Sequence, residues 1–414
     1  MIALVLGAWM ATAQTPPARP NVIVVVWDAT RPDHLGPYGY ERDTTPNLSA
    51  WATSAAVFER AQTSAPWSAP ATAGLFTGLF TQNHTVDGKP GEAAYSVRPS
   101  LTTLAEAMHD AGYATGLFTA QGSYINIEGM KQGFDEFAFV GDEVLLNNAI
   151  AFQGRIADRP TFTVLHWQDP HPPYTPSATH ALWSDPTQPQ VMLGNRKEEG
   201  WHRPDRVNNG TDPLSPAQMA QLTAQYDGEL HANDARFGEL LAYVNEHGGT
   251  ANTIIAFTAT HGEGLGEHPR QMVWHDVAYD TILNVPLIVS GPGVTATRVP
   301  TRVRNIDLYP TLLDLIGQKP TQPINGESLL PLLAGGGKDR VNTGSSRYVG
   351  GMVFYSDAHT KLFFSREGAP RVELYDRDND PFEMDNLAGD NKRLQAAQVD
   401  YEAAIKSTTL YLPQ

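Results

Sequence analysis

Apolar positions along the chain fall into two kinds of run. Short, continuous stretches rich in β-branched and aromatic residues occur at residues 22–27 (VIVVVW), 113–120 (YATGLFTA), 162–167 (FTVLHW) and 253–258 (TIIAFT). Strands buried on both faces read this way. Between them, apolar residues recur at helical spacing in residues 101–111 and in Pro216–Glu246, where Tyr226, Leu230, Phe237, Leu240 and Leu241 make the stripe. The alternation predicts an α/β fold: a large, mostly parallel central sheet with helices on both faces. Ligands gather beyond the carboxyl ends of such strands. Asp28, Asp169 and His261 all fall there.

The pattern breaks in three places. Residues 176–215 are rich in Pro, Asn, Asp and Trp without a period, and read as a long insertion near a strand end, either a substrate lid or a plain connection. Trp183, Trp201 and His202 within it suit stacking on a sugar or aromatic ring, or simple packing. From residue 347 the short runs YVGGMVFYS, KLFFS and VELYD precede a helical stretch at 394–405, which predicts a small C-terminal α+β subdomain. The expected organisation is therefore a main α/β domain over residues 20–335 and the subdomain over 345–414. Residues 1–13 (MIALVLGAWMATA) end in a small-x-small cleavage pattern and predict a signal peptide, hence export to the periplasm or medium. The run lacks a basic start, and the lead-in to the first strand is the alternative. It is too short to span a bilayer, and no other stretch approaches that length.

Composition narrows the function. With 41% apolar and 18% charged residues in 414, the chain has the make-up of an ordinary folded protein. Its formal charge of −16 argues against nucleic acid as a partner. The absence of cysteine excludes disulfides, thiolate metal sites and a cysteine nucleophile. An anionic substrate stays compatible with acidic bulk, because local charge decides the field in a site.

The chemistry concentrates in four segments. Asp28 ends a buried strand, where it can ligate a metal or cap a helix. Ser68, in WSAPATAG, stands before a helix whose first amides favour an anion; it is placed to be a nucleophile or only a cap. In HWQDPHPPY, His166 and His171 flank Asp169, suited to acid catalysis or to structural hydrogen bonds. In THGEGLGEH and just beyond it, His261, His268 and His275 lie near Glu263, Glu267 and Asp276, a mixture usual in metal sites and also found on polar turns.

In order, these segments resemble the sulfatase family of the alkaline phosphatase superfamily, and the resemblance covers nearly the whole chain. NVIVVVWDATRPDHLGPYGY is similar to the family's opening strand and turn, TTPNLSAWATSAAVFERAQTSAPWSAPATAGLFTGL to its nucleophile segment, and FTVLHWQDPHPPY to its H-x-x-D-P-H-x-P-Y pattern. QYDGELHANDARFGELL, FTATHGEGLGEH, YDTILNVPLIV, NIDLYPTLLDLIG, NGESLLPLL and ELYDRDNDPFEMDNL follow as further landmarks. The resemblance implies the family fold and hydrolysis of a sulfate or phosphate ester on a small molecule or glycan. It implies Ser68 as nucleophile and His171 as the group that protonates the leaving group. One divalent metal would be held by Asp28, Ser68, Thr260 and His261: calcium by resemblance, with zinc, manganese or magnesium as alternatives. His171, His275 and Asp169 would contact the substrate.

Three departures qualify this. Thr72 replaces the Arg of the C/S-x-P-x-R motif, which weighs against conversion of residue 68 to formylglycine and towards direct attack by a plain hydroxyl. Ala29 replaces the second Asp of the opening strand. Thr260 replaces the Asp of the D-H-G segment, leaving one certain carboxylate for a hard cation unless Asp276 or Glu263 substitutes. The competing expectation is thus a non-catalytic relative that binds an anionic ligand or a partner protein.

Overall fold

The computed structural model describes residues 19–88, 95–122, 127–156, 158–193, 203–268, 277–346, 352–365 and 371–410. The segment expected to be a signal peptide lies outside them, as do Trp201, His202, His275 and Asp276.

The four apolar runs form neighbouring strands. β1 (Asn21–Trp27) lies between β5 (Thr161–Trp167) and β6 (Thr253–Ala259), and β3 (Ala114–Thr119) pairs on the far side of β5, all parallel. With β2 (Ala56–Gln62), β4 (Glu136–Phe139), β7 (Asn284–Val285), β8 (Leu287–Ser290) and β9 (Thr297–Arg304), they build a nine-stranded sheet in the order β4-β3-β5-β1-β6-β8-β2-β7, with β9 paired to β2. The half from β4 to β6 is parallel, whereas β8 runs antiparallel to both β6 and β2.

Both faces are covered, which explains the unbroken hydrophobicity of the inner strands. Val22, Val24 and Val26 of β1 join one buried cluster, with Ala69, Ala73, Leu75 and Phe76 of the helix Ser68–Thr77. Ile23, Val25 and Trp27 join the other, with Leu222, Tyr226, Leu230, Phe237 and Leu240 of the long helix Pro216–Glu246. Ser215 starts the long helix with a capping box: its side chain accepts from the Gln218 amide, and the Gln218 side chain returns to the Ser215 amide.

A separate antiparallel sheet follows: β10 (Asn342–Ser346), β11 (Met352–Ser356), β12 (Thr360–Phe364) and β13 (Val372–Asp376). One face packs on Ala397 and Ala404 of the helix Asn391–Thr408. The other packs on Val277, Ala278, Tyr279, Ile282 and Leu283. That segment precedes β7 and lies along the strand exit of β6, because the Gly262 and Glu263 amides donate to the Ile282 and Thr281 carbonyls at 2.7 and 3.0 Å.

Candidate active site

Strand register brings the site together. Trp27 of β1 is level with Ala259 of β6 and with Trp167 of β5, so Asp28 and Thr260 leave adjacent strand ends side by side. On the far side of β5, Thr119 of β3 is level with His166, and Gln121 follows two residues later. The chain then turns at Ala29, whose φ of 50° is left-handed; Tyr226 Oη holds the turn by donating to the Ala29 carbonyl at 2.8 Å and accepting from the Arg31 amide at 2.9 Å. Ser68 arrives from the opposite side as the first residue of its helix.

Around Asp28 the contacts are dense. Ser68 Oγ lies 3.1 Å from each Asp28 carboxylate oxygen and 3.1 Å from His261 Nε2. Thr260 Oγ1 donates to Asp28 Oδ1 and Gln121 Nε2 donates to Oδ2. The Ala29 amide adds a bond to Oδ1 at 3.1 Å, and His261 Nε2 stands 3.5 Å from that oxygen. Asp28, Ser68, Gln121, His166, Thr260 and His261 are all buried.

Burial alone would raise the Asp28 carboxyl, but His261, His171 and His166 around it and the Thr260 hydroxyl outweigh that and hold it well below the usual carboxylate range. His166 is pushed down to about 4 by burial, against the pull of Asp28. Burial likewise lowers His261. His171, half-buried, sets its Nδ1 3.0 Å from the Pro172 carbonyl.

Other candidates go elsewhere. The Asp169 carboxylate pairs with Arg236 Nη1 at 3.1 Å, its carbonyl accepts from Asn233 Nδ2 at 2.6 Å, and its amide donates to Asp142 at 3.2 Å; it is committed to the long helix. Glu263 does not join Asp28 in a ligand set: Gly264 N donates to its Oε1 at 3.0 Å, and burial, only partly offset by Tyr174, pushes its carboxyl up to about 8. Glu267 pairs with Arg31, which also holds Asp33 at 2.7 Å. His268 stacks on Tyr279 with ring centroids 3.8 Å apart, at the second sheet. Trp183 packs edge-on against His231 of the long helix. Gln121, which no motif singled out, could have been found by the strand-end rule that picked out Asp28, because it lies just past β3.

The family that the sequence resembles generally uses a divalent metal. A calcium ion takes roughly six to eight oxygens, with carboxylates supplying charge. The side chains gathered here offer one carboxylate, two hydroxyls, the Gln121 amide and the imidazoles of His261, His166 and His171, and both Asp28 oxygens accept from protein donors. Among the described residues no group of three or more His, Cys, Asp and Glu side chains is placed to hold a metal ion. Among the described residues this donor set supplies one carboxylate where calcium favours several, and Asp276, the other carboxylate considered besides Glu263, lies outside them.

The family model for sulfatases matches residues 20–318. The chain is 26% identical over 362 residues to an extracellular sulfatase SULF-1 homologue of Drosophila melanogaster, covering 76% of this chain and 31% of the fly protein. It thus spans about a third of that relative's length. Two solved structures align over almost the whole chain and share the fold. The phosphonate monoester hydrolase of Agrobacterium radiobacter superposes with a TM-score of 0.75 at 19% identity, covering 94% of this chain and 95% of the other. A protein solved in complex with its substrate, D-glucosamine-2-N,6-O-disulfate, gives 0.74 at 20% identity, covering 94% and 98%. The α/β architecture expected from sequence agrees with these structures, and the family model agrees with the family that the sequence resembles. No helix among the described residues is long and apolar enough to cross a membrane.

Proposed function

The chain belongs to the sulfatase family, and we propose that it hydrolyses an anionic ester, first of all a sulfate ester on a sugar or aryl group, with the unmodified Ser68 hydroxyl as nucleophile. The supporting observation is the position of Ser68 Oγ, 3.1 Å from His261 Nε2 and at the start of a ten-residue helix, beyond the carboxyl ends of β1 and β6. First-turn amides favour the anionic group under attack. His171 borders the same carboxylate and is the candidate to protonate the leaving oxygen. A plain hydroxyl suits position 72, where a buried threonine stands in place of the motif's arginine. The phosphonate hydrolase among the structural neighbours makes a phosphonate or phosphate ester the second substrate class. The sulfated sugar bound by another neighbour favours a glycan leaving group. Export fits this reading, in line with an extracellular relative.

The single carboxylate of the site favours one further reading, a non-catalytic protein that uses the cleft to hold a sulfated ligand. Turnover of paired aryl sulfate and aryl phosphonate esters, beside Ser68→Ala, separates the two. Hydrolysis lost in the variant, with thermal stability unchanged, supports the hydrolase, and the preferred ester names its class. Equal turnover by both proteins would remove Ser68 from the reaction.

A further inference from the structure

Arg302 lies on β9 with its side chain buried, and among the described residues its guanidinium has no counter-ion of its own. The residue is 5% exposed, and its Nε has no hydrogen-bond partner there. The carboxylates whose charge reaches it, Asp280 and Asp339, are engaged elsewhere. Asp339 accepts from the Arg302 amide at 2.6 Å and stands 3.5 Å from Arg60 Nη2. Asp280 holds Lys361 Nζ at 2.6 Å and pairs with Arg377, and Glu383 stands 3.0 Å from the same Lys361. Burial pushes the Arg302 guanidinium down to about 10, with Arg377 and Arg60 adding to this against the pull of Asp280 and Asp339. It therefore keeps its charge at neutral pH.

The strand register is a second, independent observation. Arg60 of β2 and Arg302 of β9 are level on paired parallel strands, where like charges destabilise a sheet. Arg377, which follows β13, brings the charge of a third guanidinium from the C-terminal sheet. Four cations, Arg60, Arg302, Arg377 and Lys361, thus share three carboxylates, Asp280, Asp339 and Glu383. A buried guanidinium without a partner is strongly unfavourable, whereas one forked onto an oxyanion gains two charge-assisted hydrogen bonds. From this juxtaposition we propose that Arg302 and Arg60, with Arg377 adding its charge, bind a free tetrahedral oxyanion, sulfate or phosphate, at the junction of the two sheets. Arg60 is 47% exposed where Arg302 is buried, so the ion enters on the Arg60 side. The planar fork offers parallel donors to two oxygens and so favours an oxyanion over chloride. In the order β6-β8-β2 the site lies two strands from the one that delivers Thr260 and His261, and it does not depend on the role of Ser68.

The test is thermal unfolding of the full chain, followed by circular dichroism, in sodium sulfate, sodium phosphate and sodium chloride at pH 7 and equal ionic strength. Calorimetric titration with each oxyanion gives its dissociation constant. At one hundred times that constant the melting temperature should stand roughly 5 °C above the chloride value, with sulfate or with phosphate. Both ions also stabilise folded proteins by exclusion from their surfaces, so the quantity read is the gain of the parent over its variants. That gain should vanish in Arg302→Met, and in Arg60→Gln the dissociation constant should rise about tenfold or more. Arg60→Gln, on an exposed side chain, decides the matter should Arg302→Met fail to fold. Two results would overturn the proposal: a parent no more stable in either oxyanion than in chloride, or a gain of the same size in the variants, which would place the ion elsewhere, the active site included.

Discussion

Lys361, on β12, is fully buried and joins the second sheet to the segment beside the active-site strands. Its Nζ donates to Asp280 Oδ1 at 2.6 Å and to the Ala278 carbonyl at 2.7 Å, and stands 3.0 Å from Glu383 Oε1. In Lys361→Met, Asp280 keeps Arg377 and Gln62, but Glu383 is left buried without the lysine. Removing one partner of a buried ion pair costs roughly 3–5 kcal/mol. At roughly 2 °C per kcal/mol for a chain of this size, the melting temperature should fall by roughly 6–10 °C. The pH dependence identifies the cause. Burial, and then repulsion from Asp280, push the Glu383 carboxyl up to about 7 against the pull of Lys361. A raised carboxyl gives stability that is complete below its unfolded value, near 4.5, and is lost as pH rises through the folded value. Without Lys361 the folded value moves higher, so the loss steepens above pH 7, and the variant should be penalised more at pH 8.5 than at pH 5.5. Urea unfolding followed by circular dichroism at the two pH values measures this. A cost below about 1 kcal/mol at pH 8.5, or the same cost at both, would refute the reasoning.

Ala29→Asp with Thr260→Asp should strengthen cation binding beside Asp28, and the left-handed φ of Ala29 is one that Asp tolerates. Titration calorimetry should show calcium binding in the range of about 10⁻⁴–10⁻³ M for the double variant and weaker binding for the parent; equal or tighter binding by the parent would contradict the donor count. Glu229 and Asp142 are pushed up to about 8 and about 7 by burial and by Asp169 beside them, so their stability contribution is complete below pH 4 and lost as pH rises through 7 to 8. Glu229→Gln should flatten the fall in melting temperature between pH 6 and 9, and an unchanged slope would dismiss Glu229 as its source. Gly262→Ala removes no polar group, yet its Cβ would come 2.0 Å from the Thr281 carbonyl oxygen, so the backbone carrying His261 must shift. Loss of ester turnover is expected, with destabilisation of about 1–3 kcal/mol by urea unfolding; wild-type turnover would show that the His261 position tolerates the shift.

What the sequence revealed follows from how each element is buried. β1, β5 and β6 are covered on both faces, so their apolar runs are unbroken and legible. β9 reads TRVPTRVR, with a proline, three arginines and two threonines breaking any apolar run, and β2 carries Glu59 and Arg60 exposed in succession, so neither announces a strand. At the site, Asp28, Ser68, Thr260 and His261 converge because each ends a strand or starts a helix, positions that local pattern marks. Gln121 does so too, but an uncharged amide after a strand resembles any loop residue. Asp169 shows the opposite limit. Its partner Arg236 lies 67 residues along the chain, on a helix face that no local pattern connects to it, so the ion pair that holds this strand-end carboxylate was not legible.

The substitutions at positions 29, 72 and 260 also make sense as a set. Relative to the family pattern, the chain has lost two carboxylates at Ala29 and Thr260, a loss of two negative charges, and one guanidinium at Thr72. Losing two negative charges and one positive charge leaves the pocket one unit more positive than the family pattern before any ion is counted. The approaching anion then meets Asp28 alone, and that charge is spread over bonds from Ser68, Thr260, Gln121 and Ala29 and faced by three histidines. Restoring one carboxylate without a cation should upset this balance. Thr260→Asp alone would place a second carboxylate against Asp28, and with no neutralising ion both would repel an anionic ester. A rise of about tenfold or more in KM for the aryl sulfate, reversed by added calcium, is the signature expected of that variant. An unchanged KM in EDTA would mean that the substrate anion does not approach Asp28 at all.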